Sequence, residues 1–137
     1  MHLLLLALLL LPLPALAGEL HLTLTGCPAG ANLRLALHDT PALFASDNSG
    51  ERGVRRLTTV STGTTSLSLA SLPPGRYALS SYCDLNGDGR LGTNFVGMPT
   101  EPYGFSRNAR SRFGRPDFAD AAFSVGDEPM RMAIDLK

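Results

Sequence analysis

Asp84, Asn86 and Asp88 place oxygen-bearing side chains at alternate positions in the run Asp84-Leu85-Asn86-Gly87-Asp88-Gly89-Arg90-Leu91. Counted from Asp84, oxygens fall at positions 1, 3 and 5, with Gly89 at 6 and apolar Leu91 at 8, which is the first half of a calcium loop. Alternate side chains of a tight turn converge on one point, Gly89 permits the turn, and Arg90 offers its main-chain carbonyl as the next ligand. The second half departs from that pattern. Position 9 is Gly92 and position 12 is Phe95, where a bidentate Glu would close the shell. A calcium ion here needs a carboxylate from further along, and Glu101 is the first choice. With so few charges the affinity would be weak, ~0.1–1 mM. The competing reading is a plain turn: Asn86-Gly87 and Asp88-Gly89 are hairpin signals, and the carboxylates can cap local N–H groups.

The segment 103–118 offers a second chemistry. Arg107, Arg110, Arg112 and Arg115 are interleaved with Tyr103, Phe105, Phe113 and Phe118. Planar guanidinium groups bind carboxylates and phosphates bidentately and stack on rings. Tyr103, Phe105, Arg107, Arg110 and Arg112 are therefore the candidates for holding an anionic glycan, a peptide carboxylate or a lipid headgroup, and the expected partner is an envelope glycan or component or another exported protein. The alternative is a solvated face on which Glu101, Asp117 and Asp120 neutralise the arginines. Nucleophilic catalysis finds little to build on, and the reading is of a non-enzymatic protein. A Gly-x-Ser-x-Gly elbow is absent from the sequence, and His21 and His38 fall inside expected strands. Adjacency of His38 and Asp39 does not give triad geometry.

The elements that must position these groups read as strands. Glu19–Thr25 and Asn32–His38 both alternate leucine with polar residues, the period of half-buried strands, and the turn Gly26–Gly30 between them predicts a hairpin. Residues 39–53 read as a loop, with Ala42-Leu43-Phe44 docking on the core. Further strands are expected within Val54–Ser61, Thr65–Leu69, Arg76–Cys83 and Met130–Leu136. The Leu72-Pro73-Pro74-Gly75 turn delivers the chain into the Arg76 strand. Phe118–Val125 is a strand in one reading, and Phe118–Ala122 a helical turn in the other. The pattern predicts an all-β, single antiparallel β-sandwich, Ig-like or transthyretin-like, with one long ordered loop over 84–117. Phe95, Tyr103, Phe105 and Phe113 are the expected apolar anchors of that loop.

Residues 1–17 read as a cleavable signal peptide. Nine apolar residues, Leu3–Leu11, lead to Ala15-Leu16-Ala17. Nine is too few to cross a bilayer, which takes roughly 20 helical residues; a short membrane anchor is the alternative. Cys27 lies too far downstream to be a lipidation site. The expected product is one domain, 18–137, periplasmic or secreted, without a membrane span after cleavage. Its twelve basic and twelve acidic residues cancel, so long-range attraction to nucleic acid is not expected. Cys27 and Cys83 form an even pair, which in an oxidising compartment predicts a disulfide. Closing that loop contributes about 4 kcal/mol on the chain-entropy model.

Several blocks carry a resemblance: Leu72–Ala78, Asp84–Leu91, Phe95–Ala109 and Arg115–Phe123. Together they resemble the bacterial exported family called domain of unknown function 2141, and Gly104-Phe105-Ser106-Arg107-Asn108-Ala109 is the most specific stretch. The resemblance implies export and a fold, with no activity attached. Two positions depart from it: Cys83 stands where His is common, and Gly92 where an acidic residue is often found. The Leu-Pro-Pro-Gly-x-Tyr turn is also similar to turns in transthyretin-like and carboxypeptidase-regulatory-like sandwiches, which share a fold across many tasks.

Overall fold

In a computed structural model, Leu10, Leu11 and residues 17–47, 52–112 and 114–137 are described. Most of the expected signal peptide, and Phe113, lie outside these residues. The strands are β1 (Gly18–Thr25), β2 (Asn32–His38), β3 (Arg55–Val60), β4 (Thr65–Leu72), β5 (Gly75–Asp84), β6 (Tyr103–Phe105), β7 (Phe123–Val125) and β8 (Met130–Asp135). Two short helices, α1 (Pro41–Ser46) and α2 (Phe118–Ala121), and a 3-10 turn at Ser106–Asn108 complete the described elements.

The strands form a sandwich. One sheet has the order β4-β1-β8 and the other β3-β2-β5-β6, with β7 pairing the start of β5. The core between them holds Leu20, Leu22 and Leu24 of β1, Leu33, Leu35 and Leu37 of β2, and Leu79 and Cys83 of β5. The alternation read from the sequence is therefore the alternation of burial. The all-β sandwich is as expected, and each predicted strand exists to within a few residues.

Three local expectations are corrected and one open alternative is resolved. β1 and β2 are not a hairpin: they lie in opposite sheets and bring their leucines to one core from two sides. Period-2 alternation says which face of a strand is apolar, and it is silent on whether two such strands bond edge to edge or stack face to face. The turn between them crosses the sandwich at Gly26, whose φ is +93°, where an added Cβ would lie 2.1 Å from the Leu136 carbonyl oxygen. Secondly, β1 pairs β8 in parallel, so the sheets are not wholly antiparallel. Thirdly, the 39–53 segment contains α1, capped by the Thr40 side chain accepting from Leu43 N–H at 3.2 Å with Pro41 at the first turn. Phe44 docks as expected and is 1% exposed. Finally, Phe118–Val125 resolves into both readings in succession, α2 and then β7.

Cys27 and Cys83 are disulfide-bonded, with Cα atoms 5.4 Å apart. The bond ties the turn after β1 to the end of β5, one residue before Asp84, and so staples the two sheets together where the acidic connection leaves. At the other end of β5 the Tyr77 hydroxyl donates back to the Pro73 carbonyl at 2.6 Å, closing the Leu-Pro-Pro-Gly-x-Tyr turn like a tyrosine corner.

The long connection from β5 to α2 is ordered by a second, smaller core on the outer face of the β2-β5-β6 sheet. Phe44, Ala78, Phe105 and Ala121 form it, with Tyr103 and Phe118 packed alongside. The rings of Phe105 and Phe118 stand edge-on to Phe44 at 5.8 and 6.0 Å. The Ser106 hydroxyl accepts from Leu79 N–H at 2.9 Å and donates to the Ala121 carbonyl at 2.6 Å. Asn108 accepts from Asp135 N–H at 2.9 Å. The Gly-Phe-Ser-x-Asn-Ala stretch thus stitches β5, α2 and β8 together. Phe95 is not an anchor, contrary to expectation: it is fully exposed.

Candidate functional site

β5 ends in Asp84, and the chain then turns through Asn86 and Asp88 before returning at Glu101 beside β6. Asp84, Asp88 and Glu101 each bring one carboxylate oxygen to within 4.8 Å of the others. The turn is shaped by its own side chains. Asn86 accepts from Asp88 N–H at 3.3 Å, Asp88 from Arg90 N–H at 2.9 Å, and Asp84 from Gly89 N–H at 2.8 Å. These are the local contacts that Asx residues make in turns. Gly87 and Gly89 take φ of +73° and +76°, the left-handed values that favour glycine.

Glu101 clamps the site from the distant side. One oxygen accepts from Leu85 N–H at 2.5 Å and the other from Gly92 N–H at 2.6 Å. The departure at Gly92 has a steric reason. A Cβ there would lie 2.7 Å from Thr100 Oγ1 and 3.1 Å from Glu101 Oε1, so a larger residue would push away the carboxylate that the loop recruits.

Asp84 is 1% exposed. Burial alone pushes its carboxyl up. The hydrogen bond from Gly89 N–H and the Arg34 guanidinium more than reverse this and hold it below the ordinary carboxylate value. Arg34 Nε donates to Oδ2 at 3.1 Å. Oδ1 is buried and has no hydrogen-bond partner among the described residues. Half of this carboxylate is satisfied and half is bare, which is costly unless something positive meets it. Arg34 was not a candidate from the sequence. In β2 it reads only as one polar residue between leucines, and the β2–β5 register sets it opposite Tyr82 and next to the Asn32–Asp84 pair. Tyr82 donates its hydroxyl to the Gly89 carbonyl at 2.8 Å, and burial is the main cause that pushes its pKa up to about 12.

The arginine and aromatic candidates are only partly gathered. Tyr103, Phe105 and Arg112 line one cleft of about 280 Å³ together with Leu91, Met98 and Arg115. Arg110 lies over the Tyr103 ring at 4.9 Å and donates to the Tyr103 and Asp135 carbonyls at 3.0 and 3.3 Å. Arg107 points instead to the Ala122 carbonyl at 3.4 Å. Arg115 lies across Phe44 and Phe105 at 4.9 and 5.2 Å and donates to the Asp47 carbonyl. Its partial burial lowers its pKa.

His38 is fully buried and pairs with Asp47, not Asp39, at 2.6 Å. Its Nδ1 lies 3.3 Å from the Ala78 carbonyl. That pair locks α1 onto the sheet. His21 stands on the outer face of the other sheet. Its ring is 2.8 Å from Ser68 Oγ and 3.5 Å from Glu19. Hydroxyl, imidazole and carboxylate thus meet, because His21 and Ser68 are cross-strand partners and Glu19 lies two residues along. β1 is the central strand of its sheet, with β4 on one side and β8 on the other.

Fold and connection together define the class: a two-sheet β domain, stapled by one disulfide, that carries a carboxylate-lined loop at the end of its central strand. The chain belongs to the bacterial family described as uncharacterized protein conserved in bacteria (DUF2141), which matches residues 27–133. No curated protein and no solved structure matches it. Among the described residues no helix is long and apolar enough to cross a membrane.

Proposed function

We propose that this is an exported, periplasmic or secreted, non-enzymatic β-sandwich whose 84–101 loop binds calcium weakly and is stiffened by it. One observation carries the reading: Asp84 Oδ1 is buried without a partner in a cluster where three carboxylates converge within 4.8 Å. Like charges at that separation repel, and a divalent cation with oxygen ligands relieves both the repulsion and the bare oxygen. Asp84, Asp88 and Glu101 supply carboxylates, Asn86 its side-chain oxygen and Arg90 its carbonyl. Export is supported by the Leu3–Ala17 pattern and by the Cys27–Cys83 bond.

Thermal melting of the mature chain with and without calcium tests this. A site of ~1 mM affinity adds about 1.4 kcal/mol at roughly 10 mM calcium. Over a domain of this size that raises Tm by about 6 °C. Asp84→Ala combined with Asp88→Ala abolishes the rise. Asp88→Ala alone, at an exposed position, keeps the fold and shrinks it. A wild-type Tm indifferent to calcium at that concentration refutes the proposal.

A second reading, of a module for an anionic glycan or envelope component, is supported by the cleft that Tyr103, Phe105 and Arg112 share. It is tested by salt-sensitive retention on a glycan array that Arg112→Ala removes. Equal retention of wild type and variant counts against it.

A further inference from the structure

Residues 91–100 contain no charged side chain, and they fold back as a small hairpin standing out from the acidic site. Thr100 N–H donates to the Gly92 carbonyl at 2.8 Å, Thr93 bridges Pro99, and Asn94 N–H donates to the Met98 carbonyl at 2.9 Å. At the tip Phe95 is 101%, Val96 65% and Met98 57% exposed. Large apolar groups this bare are unfavourable in water, at roughly 25 cal/mol per Å², and three of them on one tip form a patch that calls for an occupant.

Three backbone donors of the tip are also bonded within it. Asn94 Oδ1 accepts from Val96 N–H and Met98 N–H, both at 3.0 Å, and the Asn94 carbonyl accepts from Gly97 N–H at 3.0 Å. Gly97 takes φ of +81°, which lets the turn close. Water is not needed to satisfy the N–H groups of residues 96–98. Pairing these three donors lowers the cost of entering hydrocarbon, where an unpaired backbone group costs several kcal/mol.

We infer that the 93–99 hairpin is a docking element for a phospholipid surface, with Phe95, Val96 and Met98 entering the acyl boundary. Shape and charge favour a bilayer over a protein partner. A convex tip needs a matching pocket on a protein and none on a lipid leaflet. Exposed Arg90 precedes the hairpin in sequence, and exposed Arg112 shares a cleft with Met98, which offers anionic headgroups two cationic side chains. The Phe ring suits the interfacial depth that such a short hairpin reaches. This inference does not rest on the calcium reading, because the hairpin is held by Asn94 and its own backbone.

The chain has no tryptophan, so Phe95→Trp installs a single reporter at the tip. The mature Phe95→Trp protein is mixed, in calcium-containing buffer, with vesicles of phosphatidylethanolamine and phosphatidylglycerol. The expected result is a blue shift of its emission, quenching by brominated acyl chains, and co-flotation of the wild type with the vesicles. Val96→Ser with Met98→Ser lowers partitioning by at least about tenfold. These side chains are exposed, so the fold survives, which unchanged melting confirms. Emission that stays at the solvent-exposed wavelength with these vesicles overturns the inference. So does a shift that appears only with rising protein concentration in their absence, which would mean that a second copy covers the tip. Either failure leaves the calcium-dependent Tm untouched, so the two ideas fail separately.

Discussion

Replacing Glu101 by Gln separates the architectural role of the 84–101 loop from any ion it holds. The carboxylate uses both oxygens at once, one on Leu85 N–H at 2.5 Å and one on Gly92 N–H at 2.6 Å. A glutamine keeps one oxygen and presents an NH₂ group to the other donor, so one N–H meets another. The group is 7% exposed, so water cannot readily take the vacated place. A hydrogen bond to a charged acceptor contributes about 1.5–3 kcal/mol, and an orphaned buried donor costs about 1–3 kcal/mol. A loss of about 2–3 kcal/mol follows, which for about 120 residues lowers Tm by about 8–12 °C. The assay is a thermal melt by circular dichroism in excess chelator, so that no ion contributes, with Asp88→Asn as the control. Asp88 is exposed and bonds only within its own turn, so its variant melts within about 2 °C of wild type in chelator. If Glu101→Gln also melts within about 2 °C of wild type, the two-oxygen clamp is not holding the loop and the reasoning fails.

Two further outcomes are expected. Asp84 has its carboxyl held below the ordinary value because the Gly89 and Arg34 bonds outweigh burial; the stability it contributes is therefore full above the unfolded pKa of about 3.9 and is lost as pH falls through the depressed folded value. The Tm advantage of wild type over Asp84→Asn should narrow from about pH 5 downward and close well below pH 4, and an advantage unchanged in strong acid contradicts this. Replacing Cys27 and Cys83 together by Ala releases a staple 56 residues apart in sequence and costs about 4 kcal/mol, read as a fall in urea midpoint that reducing agent reproduces in the wild type; a midpoint unmoved by either contradicts it.

The Gly92 position shows how a local departure becomes intelligible in three dimensions. As a sequence letter it weakens the calcium pattern, since an acidic residue is missing. In the fold its lack of a side chain is what lets Glu101 come within reach of the main chain beside it. His38 teaches the same lesson in reverse: its sequence neighbour is Asp39, its partner is Asp47, and the helix α1 between them decides which.

From residue order alone came the strands, the core-facing leucines, the choice of Glu101 as the distant carboxylate and the pairing of the only two cysteines. Each is a short-range or combinatorial property: side-chain period, turn chemistry, or the absence of any other candidate. Tertiary structure decided which strands are neighbours. It put β1 and β2 in opposite sheets, ran β8 parallel to β1 and set Arg34 against Asp84. It also turned Phe105 inward and Phe95 outward, although both are phenylalanines of one connection. Strand pairing and the burial of an isolated ring depend on surfaces contributed by residues tens of positions away, and a local pattern carries no record of them.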